Sequence, residues 1–163
     1  MINKKGFTLI EIMVVIAIIG VLATMILTSL FMARDKARDA KREAEISQIG
    51  RFLTMSCYSP DMEESEYGYD LVDLADELIA KNPKYEKFLS NIPRDPWSGT
   101  SSESNYFYVV NEDNSKCAIY ANLESSKKSV ALPITEPTPG GGTGVFEGDA
   151  GWNGSNLYFQ YSN

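Results

Sequence analysis

From Phe7 to Phe31 the chain is predominantly apolar with Glu11 as its one ionisable side chain, and no proline occurs between Phe7 and Cys57. A helix over the apolar run is about 37 Å long at 1.5 Å per residue. A bilayer's hydrocarbon core is about 30 Å thick, so the segment is long enough to cross it. Lys4 and Lys5 precede the run and argue for a cytoplasmic N-terminus, while the basic stretch from Arg34 to Arg42 argues the other way. The run is too long for a secretory signal peptide and is followed by no clean small-residue cleavage site. A plain uncleaved anchor explains the length and the lysines but not Glu11. A carboxylate inside the bilayer costs about 2.5–3.5 kcal/mol, which normally signals a partner, and less if it sits at the interface.

Helical spacing continues past Phe31. Ala33, Ala37, Ala40 and Ala44 recur at intervals of four and three, and Ile49 and Leu53 extend the pattern, which predicts an amphipathic half to one helix of roughly fifty residues. Asp35 with Arg38, Asp39 with Arg42, and Lys41 with Glu45 are spaced as local ion pairs. Gly50 is a weak point in that helix. The small alanines allow close approach of neighbouring backbones. The basic residues could also hold anionic lipid headgroups, at about 1 kcal/mol each.

Beyond Cys57 the pattern changes. Pro60, Gly68 and clustered acids mark a loop from Tyr58 to Tyr69. A second helix is expected over Asp70–Ala80, with Asp70 at its N-cap and Leu71, Leu74, Leu78 and Ile79 on its apolar face. Asn82-Pro83 ends it, and Tyr85, Phe88 and Leu89 fit one further turn. Pro93 to Gly99 reads as a turn carrying a core tryptophan, Trp97. Residues 105–111 and 116–123 are rich in Tyr, Phe, Val and Ile and predict a hairpin of two strands. Residues 135–144 have Pro/Gly linker composition, and 145–163 predict a C-terminal hairpin or strand tied to the sheet. Trp152, Tyr158, Phe159 and Tyr161 fit packing in that sheet better than stacking on single-stranded DNA or sugars.

Chemistry is sparse. The chain has no histidine, which removes the usual general base and the commonest metal ligand. Its net charge of -7 makes it a poor non-specific partner for DNA. Cys57 and Cys117 form no close metal-binding pair. They are either one disulfide, worth about 4 kcal/mol on a loop-entropy basis, or two separate buried thiols. The sequence leaves that choice open.

Lys4-Lys5-Gly6-Phe7-Thr8-Leu9-Ile10-Glu11, followed by the long apolar run, resembles the class III signal of type IV pilins and pseudopilins. The resemblance implies cleavage by a prepilin peptidase between Gly6 and Phe7, with Lys5 in the leader, and N-methylation of the new terminal Phe7. The family's glutamate at the fifth position of the mature chain maps onto Glu11. There it pairs with the terminal amine of a neighbouring subunit and sets the stagger between copies, since one side of a buried pair left alone costs about 3–5 kcal/mol. The family's helix-softening proline is replaced by Thr28, which leaves Gly20 as the candidate flexible point. Pro93-Arg94-Asp95-Pro96-Trp97, with Tyr106 and Tyr108, resembles the major pseudopilin of type II secretion and pilins of several Gram-positive and small-genome bacteria. Glu147, Asp149, Asn153 and Asn156 offer oxygens on a Gly-rich loop. Similar pseudopilins often bind calcium near the C-terminus, although the spacing matches no EF-hand.

The fold these observations imply is α+β and pilin-like, with a long N-terminal helix packed on a small antiparallel sheet. Its parts are a leader (1–6), a membrane or filament-core half-helix (7–31), an amphipathic half-helix (32–57), a headgroup (58–134), the linker and the C-terminal strands. The resemblance implies no enzyme. It implies a major pilin that leaves the membrane to join a surface filament for adhesion, twitching motility or DNA uptake. The alternatives are a major pseudopilin in a periplasmic pseudopilus and a membrane-anchored binding domain that never polymerises. The implied partners are identical subunits, the prepilin peptidase, an inner-membrane assembly platform and, before assembly, membrane lipid. A DNA or surface ligand is not specified, and no cofactor beyond the calcium option is implied.

Overall fold

The computed structural model describes Gly6, residues 8–125 and residues 127–163. Lys5 and Phe7, both expected at the processing site, lie outside the described residues. Helix α1 runs Leu9–Leu53. The chain divides into two compact units, one ending at Asp35 and the other spanning Lys36–Asn163. From Leu9 onward the first is helix, with its large apolar side chains exposed from Leu9 to Met32.

The second unit is an α+β headgroup. Strands β1 (Tyr69–Asp70), β2 (Phe107–Val110), β3 (Cys117–Asn122), β4 (Gly144–Glu147) and β5 (Leu157–Ser162) form one antiparallel sheet in the order β1-β2-β3-β5-β4. Helix α2 (Leu71–Lys81) starts where expected: the Asp70 side chain accepts from the Val72 N–H at 2.8 Å. A 3-10 turn at Pro83–Tyr85 and the short helix α3 (Glu86–Leu89) follow it. The C-terminal segment is central to the sheet, because β5 lies between β3 and β4.

Two hydrophobic clusters cover the two faces of the sheet. One joins Ile46, Ile49 and Leu53 of α1 to Leu71, Leu74 and Leu78 of α2 and to Tyr106, Tyr108, Ile119 and Phe159. The other is aromatic: Phe107, Tyr120, Phe146 and Tyr158, with Trp152, Leu132 and Ile134 packed against them. Phe146 and Tyr158 stack at 5.3 Å, and Trp152 meets Phe107 edge-on at 5.0 Å. Buried on both sides, β3 has lost the usual alternation of inward and outward residues.

Three expectations need correction. The buried face of α1 is Asp39, Arg42, Ile46, Ile49 and Leu53, whereas Ala37, Ala40 and Ala44 are exposed. Ala44 and Ile49 are five residues apart, about 140° round the helix, so they cannot share a stripe. Trp97 is not in the core. It is 68% exposed, with the Arg38 guanidinium 5.0 Å over its ring. The Pro/Gly segment 135–144 is no loose linker. Gln160 of β5 is fully buried, accepts from the Thr138 N–H at 3.0 Å and donates to the Gly142 carbonyl at 2.8 Å, which fixes the segment to the sheet.

Candidate assembly site

In the helical unit, Thr8 and Glu11 close the start of α1 on each other. The Thr8 N–H and hydroxyl both donate to Glu11 Oε2 at 2.8 Å, and the Glu11 N–H donates back to Thr8 Oγ1 at 3.3 Å. This is the reciprocal capping box of a helix N-terminus. The Thr8-x-x-Glu11 spacing carries that signal in the sequence, but the class III motif draws attention to Glu11 alone. Within one chain, then, the carboxylate is exposed and satisfied by its own helix end. Among the described residues, its side-chain bonds run to Oε2. Gly6 is exposed and outside the helix. A Cβ added at Gly20 would meet nothing within 4 Å, so intrachain packing does not require glycine there.

The headgroup is held to the lower half of α1 by a buried ion network. Arg42 donates through Nε and Nη2 to the two oxygens of Asp95, at 2.7 and 2.9 Å, and through Nη1 to Asp39 at 2.8 Å. Its Nη2 is also 2.6 Å from Glu124. Burial works against the Arg42 charge, but hydrogen bonds to Asp95 and Glu124 outweigh it and raise its pKa. Asp39 accepts the backbone N–H groups of Glu124 and Ser125, at 2.9 and 3.0 Å. Asp95 accepts those of Trp97 and Ser98 and the side-chain amide of Asn153. Burial pushes the Asp95 carboxyl up, and the Arg42 bond with the two N–H groups more than reverses this. Two segments distant in sequence, at Asp95 and Glu124, therefore converge on one guanidinium of α1, and Asn153 joins them through Asp95. The i,i+3 spacing of Asp39 and Arg42 is legible from sequence, but nothing along the chain points to Asp95 or Glu124.

Cys57 and Cys117 are joined as a disulfide with their Cα atoms 5.6 Å apart, which ties the segment after α1 to β3. The four oxygen-bearing residues of the C-terminal loop are not brought to one point. The Asn156 amide donates to Glu147 at 2.5 Å, Asn153 turns inward to Asp95 and the Asn122 carbonyl, and Asp149 accepts the Tyr158 hydroxyl through its backbone. Among the described residues, no group of three or more Cys, Asp or Glu is placed to hold a metal.

A long apolar helix with a carboxylate in its first turn, leading into a small antiparallel headgroup, defines the pilin-like class of membrane-inserted subunits. The sequence comparisons agree. Residues 1–27 match the model of the prokaryotic N-terminal methylation motif. The chain is 35% identical over 100 residues to the type II secretion system core protein G of Escherichia coli (strain K12), covering 58% of this chain and 68% of that one. It is 33% identical over 100 residues to the core protein G of Klebsiella pneumoniae, covering 58% and 70%. Over 53 residues it is 44% identical to the type IV wide pilus major component PilA4 of Thermus thermophilus, covering 32% and 40%. No solved structure matches it. The chain belongs to the type IV pilin and major pseudopilin family.

Proposed function

We propose that this chain is the major subunit of a type IV pilus, cut between Gly6 and Phe7, methylated on Phe7 and polymerised through the apolar half of α1. The observation that carries the reading is the span 9–32 of α1, whose apolar side chains are exposed among the described residues and whose one carboxylate, Glu11, lies in the first turn. Bilayer covers such a helix before assembly, and sister helices cover it afterwards. Glu11 then takes the terminal amine of a neighbour, which neutralises both charges in an apolar setting. The family contains structural filament components, and a structural role without catalysis follows for this chain. A surface fibre also bears tension and meets proteases. The disulfide after α1 and the buried network on Arg42 suit that load, because one ties the segment after α1 to β3 and the other ties α1 to the loops at Asp95 and Glu124.

A second reading, a major pseudopilin, rests on the core protein G relatives, which share more of their length with this chain than PilA4 does. The discriminating experiment is imaging of cells with and without the gene, together with intact mass and N-terminal sequencing of sheared surface material. Fibres lost on deletion, containing a chain that begins at methylated Phe7, are expected. A processed chain retained in the envelope, with no surface fibres, would favour the pseudopilus. A chain still beginning at Met1 would end both readings. Glu11→Ala is expected to abolish assembly while membrane insertion persists. Unchanged assembly would leave the non-polymerising anchored domain.

A further inference from the structure

Helix α2 carries opposite charges at its two ends. Around its C-terminus lie Lys84 and Lys87, both exposed and outnumbering the exposed Glu86 between them, beside an aromatic patch in which Phe52 stacks on Phe88 at 5.3 Å and Tyr85 meets Phe52 edge-on at 6.2 Å. Phe88 is 60% exposed and Met55, on the same rim, is 85% exposed. The patch borders a mostly apolar groove of about 380 Å³. Around the helix's N-terminus lies a second depression of about 280 Å³, lined by Glu63, Asp73 and Glu103 with Tyr67 and Phe107. The 11 residues of α2 separate the two by about 16 Å along its axis.

We propose that these two surfaces are the halves of a head-to-tail contact between copies of this chain: the basic aromatic patch of Phe88, Lys84 and Lys87 on one headgroup meets the acidic aromatic pocket of Glu63, Asp73 and Glu103 on the next. Three observations support a second copy as the occupant. The surfaces are complementary in charge, and each sets charge beside an exposed aromatic ring, Phe88 on one and Tyr67 on the other, aromatic residues being enriched at interfaces. They are distinct patches, so the contact is heterologous, and a heterologous contact that does not close generates an open helical array. The acidic pocket is also electrostatically crowded: partial burial, then Asp70, Asp76 and Glu103, push the Asp73 carboxyl up. A lysine from a neighbour relieves that repulsion. Single-stranded nucleic acid is the competing occupant for lysines beside exposed rings, but the chain's net charge of -7 opposes it at long range.

The contact rests on the filament reading, so the test scores both together. Three variants of the full chain are expressed in cells and sheared filament is quantified: K84E/K87E, E63K/E103K, and the chain carrying all four changes. All four positions are exposed, so each solubilised variant should unfold at the wild-type temperature. Each pair alone is expected to cut filament yield by about tenfold or more, since like charges set facing each other at an interface repel. The fourfold variant, with complementarity restored in reverse, is expected to recover most of the yield. Full yield from either pair alone overturns the contact while leaving the filament reading in place. Loss without recovery in the fourfold variant also overturns it and points to a different occupant, such as nucleic acid. Absence of filament from the wild type overturns both.

Discussion

Arg42 and Asp95, 53 positions apart in the chain, face each other through two parallel hydrogen bonds with both side chains fully buried. A buried pair of this kind adds little over a well-packed apolar substitute, but removing one partner strands the other charge. Asp95→Ala therefore leaves Arg42 with Asp39 and Glu124 and also frees the Trp97 and Ser98 N–H groups. We expect a loss of about 3–5 kcal/mol, read as a lowered midpoint in denaturant unfolding of the detergent-solubilised chain. Trp97 fluorescence should shift as its loop detaches. A midpoint within error of wild type would remove the network's structural role.

The same carboxylates predict acid sensitivity. Asp95 and Glu124 are held below their ordinary values, because hydrogen bonds from Arg42 and Arg38 outweigh burial. In the same way Glu77, bonded to Tyr58, Lys81 and the Asp61 N–H, is brought down to about 2. Each group is more acidic folded than unfolded, so the chain takes up protons when it unfolds in acid. The stabilisation is complete above the ordinary carboxylate values, near pH 4, and is lost as pH falls towards the folded ones. The melting temperature should be flat from pH 7 to 5 and fall below pH 4, by about 2–4 °C for each kcal/mol lost. Asp95→Asn should flatten part of that fall. A melting temperature unchanged between pH 5 and 2.5 would contradict the assignment.

The features legible in the sequence are those written in local spacing. Apolar length marks α1, Asp70 ahead of Leu71 marks the start of α2, and alternating aromatics mark β2 and β3. What escaped was set by contacts between distant segments. The Ala33–Ala44 spacing is helical, yet the face that packs is chosen by Asp39 and Arg42, whose partners lie beyond residue 90. Trp97 looks like core by residue type, but Asp95, two positions earlier, is drawn inward by Arg42 and the ring is left outside, over Arg38. The Pro/Gly stretch looks mobile until Gln160 supplies its hydrogen bonds. At the processing end, Gly6 comes from the motif alone, while Glu11 also stands out as the one ionisable side chain of the apolar run. The Thr8–Glu11 cap was readable from its spacing.

The disulfide should carry a measurable share of headgroup stability. It closes a separation of 60 residues, for which loop entropy gives about 4 kcal/mol. Cys57→Ser/Cys117→Ser is expected to lower the unfolding midpoint accordingly, and reductant should lower the wild type to the same value. Cys117 is fully buried, so reduction should be slow until the headgroup opens. Equal midpoints with and without reductant, once reduction is verified by mass, would count against the estimate.

Gly50 offers the sharpest test of packing, because the sequence marks it as a helix weak point and the structure gives it a function. A Cβ there would lie 2.6 Å from the Tyr161 ring, so α1 and β5 approach as closely as they do only because position 50 has no side chain. Helix propensity alone says that Gly50→Ala stabilises, by about 1 kcal/mol. Overpacking says that it destabilises, by about 1–3 kcal/mol. Tyr161 is held in β5 by its pairing with Ile119, so the ring cannot simply move away and overpacking should win. The expected result is a lower unfolding midpoint for Gly50→Ala, with most of the loss recovered in Gly50→Ala/Tyr161→Ala relative to Tyr161→Ala alone. A Gly50→Ala chain more stable than wild type would mean that helix propensity outweighs the crowding against Tyr161.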